Sequence, residues 1–457
     1  MKNFSASLLV TMLFVGFVQA QPTIDVLVNF LPFNTAGANP YAGLTLGKDG
    51  NFYGTTAAGN AGVGTVFKVT TSGILTTLTV FNYTNGANPF AALTLGKDGD
   101  FYSTTFSGGI NGYGGYGTVF KVTTNGTLTT LVSFNGTNGA SSSAALTLGN
   151  DGCFYGTTQN GGNGFTGWEF SGSGTVFRVT TNGKLTTLVN FDGANGIFPS
   201  AGLTLGCDGN LYGTTSEGGI YGYGTIFKVT NKGILTTLAN LDGTNGAYLP
   251  AGLTLGKDGN LYGTTEFGGS NGFGTVFQVT TKGKLTTLAN FNGINGAYPD
   301  ANLTLASDGC FYGTTFGGGH DNGNIFKVTT NGTLTALVNF NGINGSWPMA
   351  PLAIGKDGNF YGTTEEGGIV YNGEEVGVGT VFKLIVPPTI NYLPCFKNMP
   401  NALVCGLPRS SVQIQTTTCL SSPWSVLTNL DFTSGTNQFI DRAATNSQIR
   451  FYRVMVQ

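Results

Sequence analysis

One phrase recurs seven times in this chain, and a repeat period near fifty residues constrains the fold more than any other property of the sequence. The phrase is close to L-T-L-G-K-D-G-N-x-Y-G-T-T, followed by G-T-V-F-K-V-T and then L-T-T-L-x-N-F. Its Asp-Gly step falls at Asp49, Asp98, Asp151, Asp208, Asp258, Asp308 and Asp357, at spacings of 49, 53, 57, 50, 50 and 49 residues. Each copy offers four short segments rich in Thr, Val, Phe and Tyr, the residues that half-buried strands prefer. In the fifth copy these are Leu253–Leu255, Leu261–Thr265, Thr275–Thr280 and Leu285–Phe291. Asp258-Gly259 separates the first two and Lys282-Gly283 the last two. Asp-Gly suits the positive-φ positions of tight hairpins. No helical period of 3.6 appears after residue 20. Four antiparallel strands per unit, repeated about an axis, make the blade of a β-propeller.

The ends of the array point to a closed ring. The seventh copy has three strands, ending at Thr380–Leu384, and then runs into Pro387-Pro388. Leu27-Val28-Asn29-Phe30 matches the fourth strand of other copies, Leu188–Phe191 and Leu337–Phe340. An N-terminal strand that completes the last blade leaves no open edge between first and last units. The expectation is an all-β chain: a seven-bladed β-propeller over 21–386 closed by an N-terminal strand, then a small β-sandwich-like domain over 387–457. The second domain rests on alternating phrases at Val412 to Thr418, Pro423 to Leu430 and Arg450 to Val456.

Lys2, the uncharged run Leu8 to Val18 and the step Val18-Gln19-Ala20 have the layout of a secretory signal peptide over 1–20. Cleavage after Ala20 and a secreted, periplasmic or cell-surface location follow as expectations. No later apolar run approaches the length of a spanning helix, so no membrane span is expected. With a net charge of −2 and 9% charged residues there is no basic stripe for nucleic acid. The 34 Phe and 18 Tyr recur at fixed places in the repeat, which fits radially packed blades rather than low-complexity disorder. Of six Cys, Cys153 and Cys310 replace the residue after Asp-Gly in the third and sixth copies, too far apart around a ring to bridge, and Cys207 replaces the Lys before Asp208. Cys395–Cys405 is the pairing to test first, with buried thiols as the alternative.

The pattern D-G-N-x-Y-G-T-T, G-G, G-T-V-F-K-V-T and G-x-L-T-T-L-x-x-F-x-G-x-N-G over about 24–385 resembles the bacterial GloVer tandem repeat family. The resemblance implies an exported, propeller-like repeat protein and brings no catalytic motif. D-G-N-L-Y is more loosely similar to the blade motif of streptogramin lyase-like propellers. Their His-dependent chemistry has no counterpart here, because His320 is the only His.

In a four-stranded blade the first-to-second and third-to-fourth turns share one face. The second-to-third loops and the links between blades share the other, and these vary more. Function concentrates on varied loops held by a rigid frame, which makes the long-loop face the candidate binding face. The loops open with T-T-x-x-G-G and carry Phe106, Glu217, Glu266, Phe267, Phe316, Glu365 and Glu366 at their variable positions. The third copy inserts Phe165, Trp168, Glu169 and Phe170, and the seventh inserts Tyr371, Glu374 and Glu375. The links carry Phe198, Tyr248, Tyr298 and Trp347 in one column, expected to pack between blades as core. Aromatic faces with a few carboxylates suit sugars, whose C–H faces stack while their hydroxyls find acceptors. Phe106, Trp168, Glu217, Glu266, Phe267, Phe316, Glu365 and Glu366 are therefore the candidate ligand-binding residues. The repeated Asp residues are explained by hairpin geometry and lack the clustered oxygens of a calcium loop. No catalytic set, metal site or cofactor is expected. The reading is a non-catalytic binding or structural module for a glycan or another cell-surface component. The alternative is a carbohydrate-active hydrolase or lyase using carboxylates found in single blades.

Overall fold

Seven four-stranded antiparallel sheets form, one per repeat. The computed structural model describes residues 21–31, 37–59, 63–168, 170–319, 321–371, 374–375 and 377–386, with six further strands between 389 and 456. Residues 1–20, Glu169 and His320 lie outside the described residues. In the fifth blade the strands are Thr254–Leu255, Leu261–Thr265, Thr275–Val279 and Leu285–Asn290, close to the pattern read from the sequence. The two-residue first strands approach one another around the axis. The strand beside each of them, F-Y-G-T-T or L-Y-G-T-T except for F-Y-S-T-T in the second blade, is buried along its whole length, so both of its faces meet protein. In six blades the middle residue is glycine, and a Cβ on Gly54 would stand 2.5 Å from the Phe67 ring; the second blade holds Ser103 there.

The recurring Asp organises each first turn. Asp49 accepts the N–H of Asn51 through Oδ1, and the hydroxyl of Tyr53 donates to its Oδ2 at 3.0 Å. The same Tyr-to-Asp bond is made in all seven blades. Partial burial works against ionisation of Asp49, but the bonds from Asn51 and Tyr53 hold its carboxyl below the ordinary range. In this turn Gly50 takes positive φ and the Asp does not, as in a type I turn followed by a left-handed residue. The tyrosine fixed in this way lies against the next blade, with Tyr53–Phe101, Tyr102–Phe154 and Tyr262–Phe311 centroids all 4.2 Å apart.

Closure repeats these contacts across the chain ends. Tyr361 of the last blade lies 4.3 Å from Phe52 of the first. A threonine of each second strand donates to an alanine carbonyl of the next blade, from Thr55 to Ala91 through to Thr314 to Ala350, and Thr363 donates to Ala42 at 3.0 Å. The N-terminal strand Thr23–Asn29 pairs antiparallel with Thr380–Ile385 as the outermost strand of the seventh sheet. It reproduces the bulge of the other fourth strands, leaving Leu27 unpaired as Leu288 is in the fifth blade. Gly73 approaches the Leu27 carbonyl as Gly332 approaches that of Leu288, so a Cβ on Gly73 would stand 2.5 Å from that oxygen. The N-terminal strand is therefore a fourth strand in register, bulge and neighbours.

The C-terminal strands form two three-stranded antiparallel sheets. One holds Thr389–Phe396, Met399–Cys405 and Thr436–Ile440. The other holds Ser411–Thr417, Ser425–Asp431 and Phe451–Val456. The pairing sets Cys405 opposite Thr389. At ~3.3 Å per residue this puts the Cys395 and Cys405 backbones ~20 Å apart, beyond disulfide reach. Their side chains, and Cys419, lie outside the described residues. Cys153, Cys207 and Cys310 are free thiols. Among the described residues no helix is long and apolar enough to cross a membrane.

Candidate functional site

The long-loop face is built on one strained residue per blade. The column Asn39, Asn88, Ser141, Phe198, Tyr248, Tyr298 and Trp347 takes φ between 52° and 57°. The left-handed region costs a side-chain-bearing residue ~1–2 kcal/mol, least for Asn. The conformation points two backbone groups at neighbouring blades. The N–H of Tyr298 donates to Phe273 of the preceding blade, and its carbonyl accepts from the N–H of Phe316 in the following one. Ala57, Phe106, Gln159, Ser216, Glu266 and Glu365 are held by the same bond in their own blades. The aromatic members are less buried than the core column expected from the sequence: Tyr248 is 38% exposed and Phe198, Tyr298 and Trp347 are half-buried, with Tyr298 and Trp347 packed on Phe273 and Phe316 of the neighbouring blade, whereas Ser141 is fully buried.

A second ring lies two residues further along each link, in the pattern P-x-A in five of the seven. Tyr41, Phe90, Ser143, Ser200, Pro250, Asp300 and Met349 are partly accessible, whereas the alanine after each is buried. With Phe106, Gln159 and Glu266 they line a cavity of about 470 Å³ to which all seven repeats contribute. An aromatic arc occupies one part of this mouth. Tyr41 meets Phe90 edge-on at 5.3 Å, and Phe90 meets Phe106 edge-on at 5.4 Å.

Carboxyls gather elsewhere around it. Asp300 lines the cavity, partly accessible there and otherwise packed closely by protein. That burial, followed by the nearby Glu266 and Glu365, pushes its carboxyl up to about 8. Burial raises Glu266, and burial with Glu366 alongside raises Glu365. The Tyr41 hydroxyl is pushed up by burial and then by Asp300, Glu365 and Glu266, so it remains a donor. No Lys or Arg lines the cavity. Near neutrality the Asp300 carboxyl, held at about 8, can donate as well as accept beside flat apolar rings, a lining suited to hydroxyl-rich ligands.

The predicted residues divide into three groups. Phe106 and Glu266 line the cavity, and Glu365 acts on Asp300 and Tyr41 within it. Phe267, Phe316, Glu217 and Glu366 belong to the surrounding rim. Phe267 sits between Tyr248 and Tyr298 at 5.7 and 5.3 Å, and Phe316 packs on Trp347 at 5.2 Å. The Tyr248 hydroxyl donates to the Glu217 carboxylate at 3.0 Å, and Glu366 is exposed. Trp168 stands apart, 69% exposed on the third blade's insertion and outside the cavity lining. The side chains of Tyr371, Glu374 and Glu375 lie outside the described residues. Tyr41, Phe90 and Asp300 were missed by sequence reasoning. Their signal is a variable column immediately before the alanine that recurs in all seven links.

The chain matches the family described as the Gloeobacter/Verrucomicrobia repeat over residues 14–220 and again over 204–418. No curated protein matches it. Among solved structures it is similar to a Bacteroides uniformis protein assigned as a 6-phosphogluconolactonase, at 18% identity, covering 65% of this chain and 84% of that one with a TM-score of 0.44. It is also similar to a Xanthomonas campestris gluconolactonase, at 13% identity, 59% and 79% coverage and a TM-score of 0.38. A protein of unknown function from Dyadobacter fermentans shares 10% identity, 79% and 99% coverage and a TM-score of 0.40. Likenesses of this size transfer no activity.

Proposed function

The chain belongs to the Gloeobacter/Verrucomicrobia repeat family, and we propose that this member is a carbohydrate-binding propeller whose site is the axial mouth of the long-loop face. The observation that carries the reading is the Tyr41–Phe90–Phe106 arc facing the same cavity as Glu266 and Asp300. Flat rings take the C–H faces of a sugar, and the Asp300 carboxyl, held at about 8, serves its hydroxyls as donor or acceptor. A cavity of about 470 Å³ falls within the size range of small-ligand sites. The backbone bonds from the left-handed column hold the ring of loop residues before ligand arrives, which lowers the ordering cost of binding. In this reading segment 1–20 delivers the protein outside the cytoplasm, and N-terminal sequencing should find Gln21 first. Residues 21–457 should bind on a broad glycan array, and Phe90→Ala and Phe106→Ala should each weaken the hit about tenfold or more, in line with loss of a stacked ring. Trp168→Ala should leave it unchanged. An array without hits would refute the reading.

One observation favours catalysis as a second reading. Asp300, pushed up to about 8 beside Glu266 and Glu365, has the character of a general acid near a second carboxylate. Incubation with a bound oligosaccharide should then release new ends, and Glu266→Gln or Glu365→Gln should abolish release while binding persists. Intact oligosaccharide after prolonged incubation would dismiss catalysis and leave binding standing.

A further inference from the structure

The charges of the propeller are sorted by face. Every Lys and Arg between residues 21 and 386 lies on or beside a short turn. Lys48 and Lys356 occupy first-to-second turns, Lys184 and Lys282 third-to-fourth turns, and Lys121 and Arg178 the strand ends leading into those turns. Several are paired there: Lys121 with Asp100, Arg178 with Asp151, Lys327 with Asp308 and Lys383 with Asp357, at 2.9–3.0 Å. The long loops and links hold Asp192, Glu217, Asp242, Glu266, Asp300 and Glu365 among others, and no Lys or Arg. The result is an axial field with its negative end at the cavity mouth, which draws cations in and turns anions away.

Inside the mouth the acids are also uncompensated. Asp300 accepts no hydrogen bond from any described residue, and no cation lines its cavity. Glu266 and Glu365 lie close enough to act on it electrostatically. A neutral sugar leaves that repulsion in place, and a uronic or sulfated glycan adds to it. A protonated amine removes it and supplies three N–H donors, and Tyr41, on which all three acids act, joins them to the aromatic arc.

We propose that the glycan bound at this mouth carries free amines, as glucosamine units do, with the ammonium group against Asp300 between Glu266 and Glu365 and the sugar face on Phe90 and Phe106. The inference rests on the carbohydrate reading above and narrows its ligand class. It excludes acidic glycans from the site.

Calorimetric titration of the 21–457 chain near pH 7 tests it with three probes: a glucosamine oligomer, its fully N-acetylated counterpart of equal length, and oligolysine. The amine oligomer should bind at least about tenfold more tightly than the acetylated one, and the margin should shrink with added salt as exposed charge is screened. Asp300→Asn should remove most of the margin by weakening the amine oligomer far more than the acetylated one, and Phe106→Ala should weaken both alike. Asp300 should also lose its proton to the buffer as the ammonium arrives, so the measured heat should vary with buffer for the amine oligomer alone. Equal binding of the two oligomers would overturn the amine proposal and leave the carbohydrate reading intact. Binding of oligolysine without either oligomer would overturn both and make the mouth a site for basic peptides. Silence from all three probes would overturn the amine proposal alone, and the glycan array decides the carbohydrate reading separately.

Discussion

Asp300→Asn should make the protein more stable in a pH-dependent way. The folded state holds the Asp300 carboxyl at about 8 against an ordinary 3.8, so the folded chain binds a proton that the unfolded chain has released. Below pH 3.8 both states are protonated and the group contributes no pH-dependent difference. From there to about 8 stability falls as pH rises, because ionisation is easier in the unfolded chain. Above about 8 the loss is complete. At ~1.4 kcal/mol for each pH unit the interval sets a ceiling of ~6 kcal/mol. Water enters the open mouth and screens the three carboxyls, which reduces the expected effect to ~1–3 kcal/mol. The asparagine is nearly isosteric and carries no charge, so it relieves the repulsion among Asp300, Glu266 and Glu365 without leaving a void. Urea unfolding of both proteins at several pH values between 3.5 and 9.5 measures the difference directly. The two curves should coincide at the acid end, diverge through pH 4–8 with the variant on top, and run parallel above. A constant offset, or a variant less stable at pH 9, would refute the electrostatic account of the mouth.

Three further outcomes follow from the ring. Deleting residues 21–30 removes the strand paired to Thr380–Ile385 and the Phe30 ring that packs on Phe67 at 5.4 Å; the melting temperature should fall by ~10 °C or more, for a loss of several kcal/mol, and an unchanged melt would remove the clasp from the fold. Thr363→Val deletes the bond to the Ala42 carbonyl and should cost ~1 kcal/mol, as should Thr157→Val with its bond to Ala201; a silent Thr363 beside a costly Thr157 would mean the ring is open at that junction. Ser141 is the left-handed residue whose buried hydroxyl has no partner, while Asn88 and Asn39 at the equivalent positions donate to the carbonyls of Ala57 and Glu365. Ser141→Asn should therefore stabilise by ~1 kcal/mol in thermal unfolding, and destabilisation would show that the amide does not reach Phe106.

The blades were legible because the same residue meets the same surroundings seven times. The tyrosine after each turn is always buried against the next blade, so its recurrence marks a contact rather than a preference. Closure was legible for the same reason, since Leu27-Val28-Asn29-Phe30 can only repeat the fourth strand. The site was legible in part. Glu266 and Phe267 are neighbours in one loop, yet the extended chain sends the first toward the axis and the second to the rim, and that parity depends on where the second strand ends. Asp300 and Tyr41 are remote in sequence and have no local motif; they meet only because the ring closes. The aromatic link column misled because Tyr298 and Trp347 read as core residues, and nothing local announces a left-handed backbone at a bulky side chain.

The N-terminal clasp also sets the order of events when the chain is made. Val28 pairs with Val381, a partner synthesised about 350 residues later. At ribosomal speeds of ~5–20 residues per second, the strand that emerges among the first waits roughly 20–70 s for its partner. During that interval six blades can assemble, but the propeller stays a open arc with an unpaired strand at its start. The last residues of the array then act as a timer, and the axial mouth comes into existence only when they arrive.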